Sequence, residues 1–240
     1  MGNDNQHENA GAYMKLALFG ATGGTGRELT AQATEVNHSI RALTRSPAKL
    51  PPNQAVTAVE GDVLDPDAVE ATVNGSDAVI CLLGRTSNNP PDVVSRGTAN
   101  IIDAMQERGI ERLVILTSMG LGSSVQQVPW YVRLANVTVL HDLMADKARQ
   151  EELVAGSGLD WTIVRPGGLT DGPKTGEYEH GVDIDATAGP ISRADVADFL
   201  LEILQTDAYL QNVPVVTTNQ SIDAEFLWDQ VTAVAQRLRG

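Results

Sequence analysis

The chain has 240 residues, 42% of them hydrophobic, which suits one α/β domain with a sizeable core and requires no second domain. Its formal net charge of −14 argues against nucleic acid and against an anionic membrane surface as partners, since both call for a basic face. No run approaches the roughly 18 consecutive apolar residues of a membrane span.

Residues 1–13 begin with a polar stretch that lacks the apolar segment of a signal peptide, and they read as a disordered tail. The single cysteine, Cys81, stands in an apolar run as a small hydrophobe, so no disulfide forms within the chain and the protein reads as cytoplasmic. Lysine is confined to Lys15, Lys49, Lys147 and Lys174. Such an acidic, lysine-poor surface fits a protein kept soluble in high salt and equally an ordinary acidic cytosolic one.

The first element is the apolar run from Lys15 to Phe19, which ends in Gly20-Ala21-Thr22-Gly23-Gly24-Thr25-Gly26 and opens an amphipathic segment through Val36. Strand, tight turn and helix N-terminus follow in the order that a dinucleotide site needs. Gly20 permits the turn, Gly23 lets backbone N–H groups approach a pyrophosphate, and Gly26 lets the helix lie close on the sheet. The spacing is G-x-x-G-x-x-G, and the flanking strand and helix give it the weight that a lone glycine triplet lacks.

Further strands are predicted over Ser39 to Thr44, Ala55 to Glu60, Asp77 to Leu83, Arg112 to Thr117, Trp161 to Val164 and Val213 to Thr217. Helices are predicted over Pro66 to Val73, Val93 to Arg108, Thr138 to Ala155, Arg193 to Leu204 and Ala224 to Arg237. A loop crosses Gly120 to Ser124, and the glycine-rich stretch from Pro166 to His180 reads as the start of a substrate-covering loop near 166–190. Alternating strands and helices predict a Rossmann-type, doubly wound parallel sheet over residues 14–240 as a single domain.

The ends of the strands then define the candidate site. A site for NAD places an acid at the end of the second strand, whereas this chain has Leu43-Thr44-Arg45-Ser46 there. Arg45, with Arg41 or Ser46 nearby, is suited to a 2′-phosphate, which favours NADP(H) over NAD(H). Asp62 and Val63 fall at the adenine, and Leu83, Gly84 and Arg85 beneath the middle of the cofactor. Thr117 and Ser118 fall at the nicotinamide, and Lys147 within reach of its ribose. Ser118 and Lys147 are the catalytic candidates. A serine hydrolase is disfavoured because Ser118 lacks a G-x-S-x-G elbow. The four histidines have no metal-ligand spacing, so no metal is expected.

The blocks GATGGTG, GDVLDPDAV, DAVICLLG, LVILTS, SGLDWTIVRPGGL and ISRADVADFL, in this order from Met14 to Leu204, resemble the atypical short-chain dehydrogenase/reductases. Within them the chain looks most like the NAD(P)H-binding, NmrA-like branch that holds biliverdin-IXβ reductase (flavin reductase). The resemblance implies NADP(H) on Gly20, Thr22, Gly23, Thr25, Arg45, Asp62, Val63, Leu83, Gly84, Thr117 and Ser118, with Pro166, Gly167, Gly168 and Leu169 beside the nicotinamide. It also implies an open pocket for flavins or linear tetrapyrroles.

Two departures stand out. Leu143 occupies the tyrosine position of the Tyr-x-x-x-Lys pair that ends at Lys147, and Tyr131 has no lysine four residues on. The histidine that flavin and biliverdin reductases carry after the sixth strand is replaced by Pro166-Gly167-Gly168-Leu169. The function expected is NADPH-dependent hydride transfer to a small conjugated acceptor: a flavin, a quinone or a tetrapyrrole-like molecule. The alternative is a non-catalytic NADP(H)-binding sensor or assembly factor. Monomer and homodimer are both left open.

Overall fold

The computed structural model describes residues 13–138 and 140–220, with 223, 225, 226, 228, 229, 232, 233 and 236. The expected tail over residues 1–13 lies outside the described residues apart from Tyr13, and the closing helix predicted over Ala224 to Arg237 lies largely outside them.

Ten strands are described: β1 (Lys15–Phe19), β2 (Ser39–Thr44), β3 (Val56–Glu60), β4 (Ala78–Cys81), β5 (Arg112–Leu116), β6 (Asp160–Pro166), β7 (Gly168–Thr170), β8 (Glu179–Gly181), β9 (Pro190–Ser192) and β10 (Val215–Thr217). The helices are α1 (Gly24–Glu35), α2 (Pro66–Val73), α3 (Val93–Arg108), α4 (Trp130–Val137), α5 (His141–Ala155) and α6 (Arg193–Thr206). The main sheet runs β3-β2-β1-β4-β5-β6-β10-β8, parallel throughout except where β8 pairs antiparallel with β10, and β7 and β9 form a separate parallel pair. This is the predicted doubly wound parallel fold, with the strand order reversing beside β1.

Strand alternation divides the core into two layers. Leu16 and Leu18 of β1, with Ile80 and Val114, face a layer that includes Leu29 of α1 and Phe199 and Leu200 of α6. Ala17 and Phe19, with Val79, Cys81, Leu113 and Ile115, face the opposite layer, with Ile101 and Met105 of α3 and Val154 of α5. Side chains on successive residues point to opposite faces, so a strand covered on both faces must be apolar without interruption, as β4 is throughout and β5 is from Leu113 to Leu116.

Three expectations are corrected. The helix predicted over Thr138 to Ala155 begins at His141, and the separate α4 precedes it with Pro129 at its N-terminal boundary. The loop from Gly120 to Ser124 overlaps a 3-10 turn over Gly122–Gln127. The stretch from Pro166 to His180 is partly strand, because the backbone groups of its first residues pair with β9, β10 and their flanks. Among the described residues no helix is long and apolar enough to cross a membrane.

Candidate functional site

The loop after β1 and the end of β4 meet at the strand-order reversal. Gly20 has φ of +94°, a left-handed conformation that favours glycine, and a Cβ there would stand 2.5 Å from the Leu82 carbonyl oxygen. A Cβ on Gly26 would overlap the Gly20 carbonyl oxygen, so this glycine seats α1 against the loop. Gly23 differs: a Cβ would meet only Gly20 O, at 3.3 Å. Its N–H donates to Gly20 O at 3.0 Å, and it forms the N-terminal boundary of α1 without a side-chain cap.

No acid lies in the first turn of α1. An uncapped helix N-terminus on a glycine turn leaves backbone N–H groups and the positive end of the helix dipole available to an anion. The residues present therefore fit a dinucleotide pyrophosphate. Thr22 carries its carbonyl to the Arg27 guanidinium at 3.0 Å, and Thr25 is buried within the turn.

Arg45, just past β2, lies 3.7 Å from a carboxylate oxygen of Asp62, just past β3, and donates to Asn89 Oδ1 at 3.5 Å. Arg41 does not join them. Its guanidinium donates to the carbonyls of Ala71 and Asn74 at the end of α2, because its position in β2 aims it across the helix layer. Val63 is buried, and its carbonyl accepts from Asn100 at 2.9 Å. Leu83 packs beside Val63 against Gly97, where a Cβ would come within 2.8 Å of Val63. Gly84 is exposed, and the partly buried Arg85 has its Nε without a hydrogen-bond partner among the described residues.

A connected polar group lies at the end of β5. Lys147 of α5 donates to the Thr117 carbonyl at 3.0 Å. Burial pulls the Lys147 ammonium down to about 8, against the charges of Glu151, Cys81 and Asp146, which act to raise it. The Thr117 hydroxyl donates to Glu151 at 2.7 Å, and Ser118 donates to the Met119 carbonyl at 3.1 Å. Ser118, Thr117 and Lys147 are thus brought to one strand end, while Leu143 sits one helical turn before Lys147 on α5.

Sequence reasoning missed what holds this group. Glu151 takes Arg165 Nε at 3.0 Å and Nη2 at 2.6 Å, and Arg165 Nη1 donates to Ser123 at 3.0 Å. Asp146 accepts from the backbone N–H groups of Val94 and Ser95, at 2.9 and 3.0 Å, and so caps α3 from α5. The available signal was spacing: Glu151 lies one turn after Lys147 on the same helical face. Cys81 is fully buried in the core, where its Sγ also accepts a hydrogen bond from Gln150 Nε2 at 3.6 Å and shares one with Thr98 Oγ1 at 3.8 Å.

Pro166 to Leu169 are held by backbone pairing rather than left loose. Pro166 O accepts from Met119 N at 2.9 Å, Gly167 N donates to Val216 O at 2.9 Å, and Gly168 N donates to Gly189 O at 2.9 Å. Gly168 and Leu169 belong to β7. Farther along, the buried Asp195 carboxylate accepts from the N–H groups of Thr175 and Gly176 and from the hydroxyls of Thr175 and Ser192. Burial works to raise its pKa, but these hydrogen bonds outweigh burial and hold it below the ordinary aspartate value.

Comparison with known proteins agrees with this geometry. Residues 20–207 match the model of a family described as NAD(P)H-binding. The oxidoreductase stcQ of Emericella nidulans is 29% identical over 90% of this chain and 86% of its own. ChuY, described as an anaerobillin reductase from Escherichia coli O157:H7, superposes with a TM-score of 0.74 at 26% identity, over 88% of this chain and all of its own. A short-chain dehydrogenase/reductase from Veillonella parvula in complex with NADP has the same fold, with a TM-score of 0.73 at 20% identity over 86% of this chain and 95% of its own. The chain therefore belongs to the NAD(P)H-binding family and is an NAD(P)H-dependent reductase.

Proposed function

We propose that the chain transfers hydride from NADPH to a small conjugated acceptor, of the flavin, quinone or tetrapyrrole-like class. The observation that carries this reading is the helical face of α5, where Leu143 stands one turn before a lysine whose ammonium is bonded to the end of β5. A simple ketone develops charge on one oxygen and needs an acid within hydrogen-bond reach of it. A conjugated acceptor spreads that charge over its rings and takes its proton from water. The relationship to ChuY, described as a reductase of anaerobillin, points to the same acceptor class.

In this reading the pyrophosphate lies on Gly20, Thr22, Gly23, Gly24, Thr25 and Gly26. Arg45 holds the 2′-phosphate, Asp62 and Val63 lie at the adenine, and Leu83, Gly84 and Arg85 lie beneath the middle of the cofactor. When bound, the nicotinamide supplies the hydride. Ser118 orients the reacting ring, and the Lys147 ammonium steadies the negative charge delivered to the acceptor. The Glu151–Arg165 pair fixes the strand end on which both depend. The backbone from Pro166 to Leu169, with the segment through residue 190, excludes water from the same face.

The test is NADPH oxidation against a panel of FMN, a benzoquinone, a linear tetrapyrrole and an aliphatic ketone. Turnover of at least one conjugated acceptor with negligible ketone reduction is the expected result. Ketone reduction without turnover of any conjugated acceptor overturns the reading.

A further inference from the structure

Arg193 opens α6, and its side chain lies along the first turn of α1. A Cβ added to Gly24, the first residue of α1, would stand 2.5 Å from Arg193 Cδ and 2.7 Å from Nε. Glycine at position 24 thus makes room for this arginine. The Arg193 side chain is only 12% exposed, yet its one polar partner among the described residues is the Asp171 carboxylate, at 2.6 Å and 90% exposed.

That pairing is a poor match for its surroundings. Helix N-termini carry partial positive charge and disfavour a cation. Arg193 stands at two of them, as the first residue of α6 and against the first residue of α1. No acid in the first turn of α1 offsets this. The first-turn acid of α6, Asp195, is engaged by Ser192, Thr175 and Gly176. A carboxylate almost wholly in water is a weak counterion for an enclosed guanidinium. What the position suits is a group bearing more than one negative charge, able to face the arginine and the α1 N-terminus together.

We infer that Arg193 is a ligand of the cofactor's pyrophosphate, its guanidinium exchanging Asp171 for phosphate oxygens when the dinucleotide binds. The inference rests on the proposed seat of the pyrophosphate on the glycine loop. It differs from the role of Arg45 in acting on NADPH and NADH alike, since both carry the pyrophosphate. It also gives Asp171 a definite sign: the carboxylate competes with the ligand for Arg193.

The test is equilibrium titration of the full chain with NADPH, NADH and inorganic pyrophosphate at two KCl concentrations. Arg193→Gln should weaken both dinucleotides by the same factor, about tenfold, as loss of a charge-assisted contact does, and should flatten the salt dependence. Asp171→Asn should tighten both about two- to fivefold and leaves the arginine in place, so it decides the matter if Arg193→Gln does not fold. Wild-type affinity in Arg193→Gln, loss confined to one dinucleotide, or weaker binding in Asp171→Asn overturns the inference. Failure of the underlying reading looks different: a wild-type chain that binds neither dinucleotide nor pyrophosphate removes the glycine-loop seat itself.

Discussion

Glu151 and Arg165 form a two-point ion pair beneath the end of β5, with side chains only 12% and 6% exposed. Removing one member of such a pair leaves a buried charge without its partner, which costs about 3–5 kcal/mol. Glu151→Ala should lower unfolding stability by that amount in denaturant titration. The double variant Glu151→Ala, Arg165→Met should recover part of the loss, because no orphan charge remains. Equal stability of the single variant and the wild type would show that water solvates the arginine.

The glycines of the first turn should divide into two classes. Gly26→Ala drives a Cβ into the Gly20 carbonyl and should destabilise the fold by about 2–3 kcal/mol, as overpacking does. Gly23 has φ of −73° and a Cβ there would meet only the Gly20 carbonyl oxygen, at 3.3 Å, a contact that a shift of a few tenths of an ångström relieves, so Gly23→Val should fold and lose dinucleotide binding. Thermal unfolding and NADPH titration, run together on both variants, separate the classes. A Gly23→Val chain that binds NADPH normally would move the phosphate site elsewhere.

Arg45→Ala should weaken NADPH by about tenfold or more and leave NADH nearly unchanged. Loss of a charge-assisted contact to the 2′-phosphate is worth roughly 1.5–3 kcal/mol, and each 1.4 kcal/mol is tenfold in affinity. Competition titrations with the two dinucleotides measure the ratio directly. Equal weakening of both would reject the 2′-phosphate role.

Turnover should carry an alkaline limb near the Lys147 value of about 8. The ammonium is fully protonated below that pH, and its charge is lost as pH rises through it, so the rate should fall on the alkaline side. Lys147→Met should erase the limb and slow turnover by about tenfold, equivalent to roughly 1.4 kcal/mol of transition-state stabilisation. Glu151→Gln should move the limb to lower pH, since the Glu151 charge acts to raise the lysine. A limb unchanged in Lys147→Met would assign it to another group.

Much of this was legible in the sequence wherever a local pattern carries the structure. The limits of β2, α2 and α3 coincide with the sequence reading, because uninterrupted or periodic apolar residues there meet clear stops, such as the left-handed Gly109 after α3. α4 was not legible: it is only eight residues long, none of them is buried, and Trp130, Leu134 and Val137 are more than half exposed, so only the partly buried Val132 ties it to the core cluster of Met119 and Val128. The glycine turn between β1 and α1 was legible as strand, tight turn and helix N-terminus. Two contacts, Glu151 with Thr117 and Arg193 against Gly24, join segments distant in sequence that only the packed fold brings together.

Asp195 holds the segment after β7 partly through the backbone N–H groups of Thr175 and Gly176. Every residue but proline offers such a group, so this half of the anchor does not read the side chains ahead of it. Gly172 and Pro173 are exposed in that segment, whereas Lys174 adds an ion pair to Asp198 of α6 at 2.6 Å. Gly172 and Pro173 are free to change over evolutionary time while the segment keeps its attachment to α6. Substitution at these two positions would change the chemical character of the segment's surface and leave the backbone anchor that positions it intact.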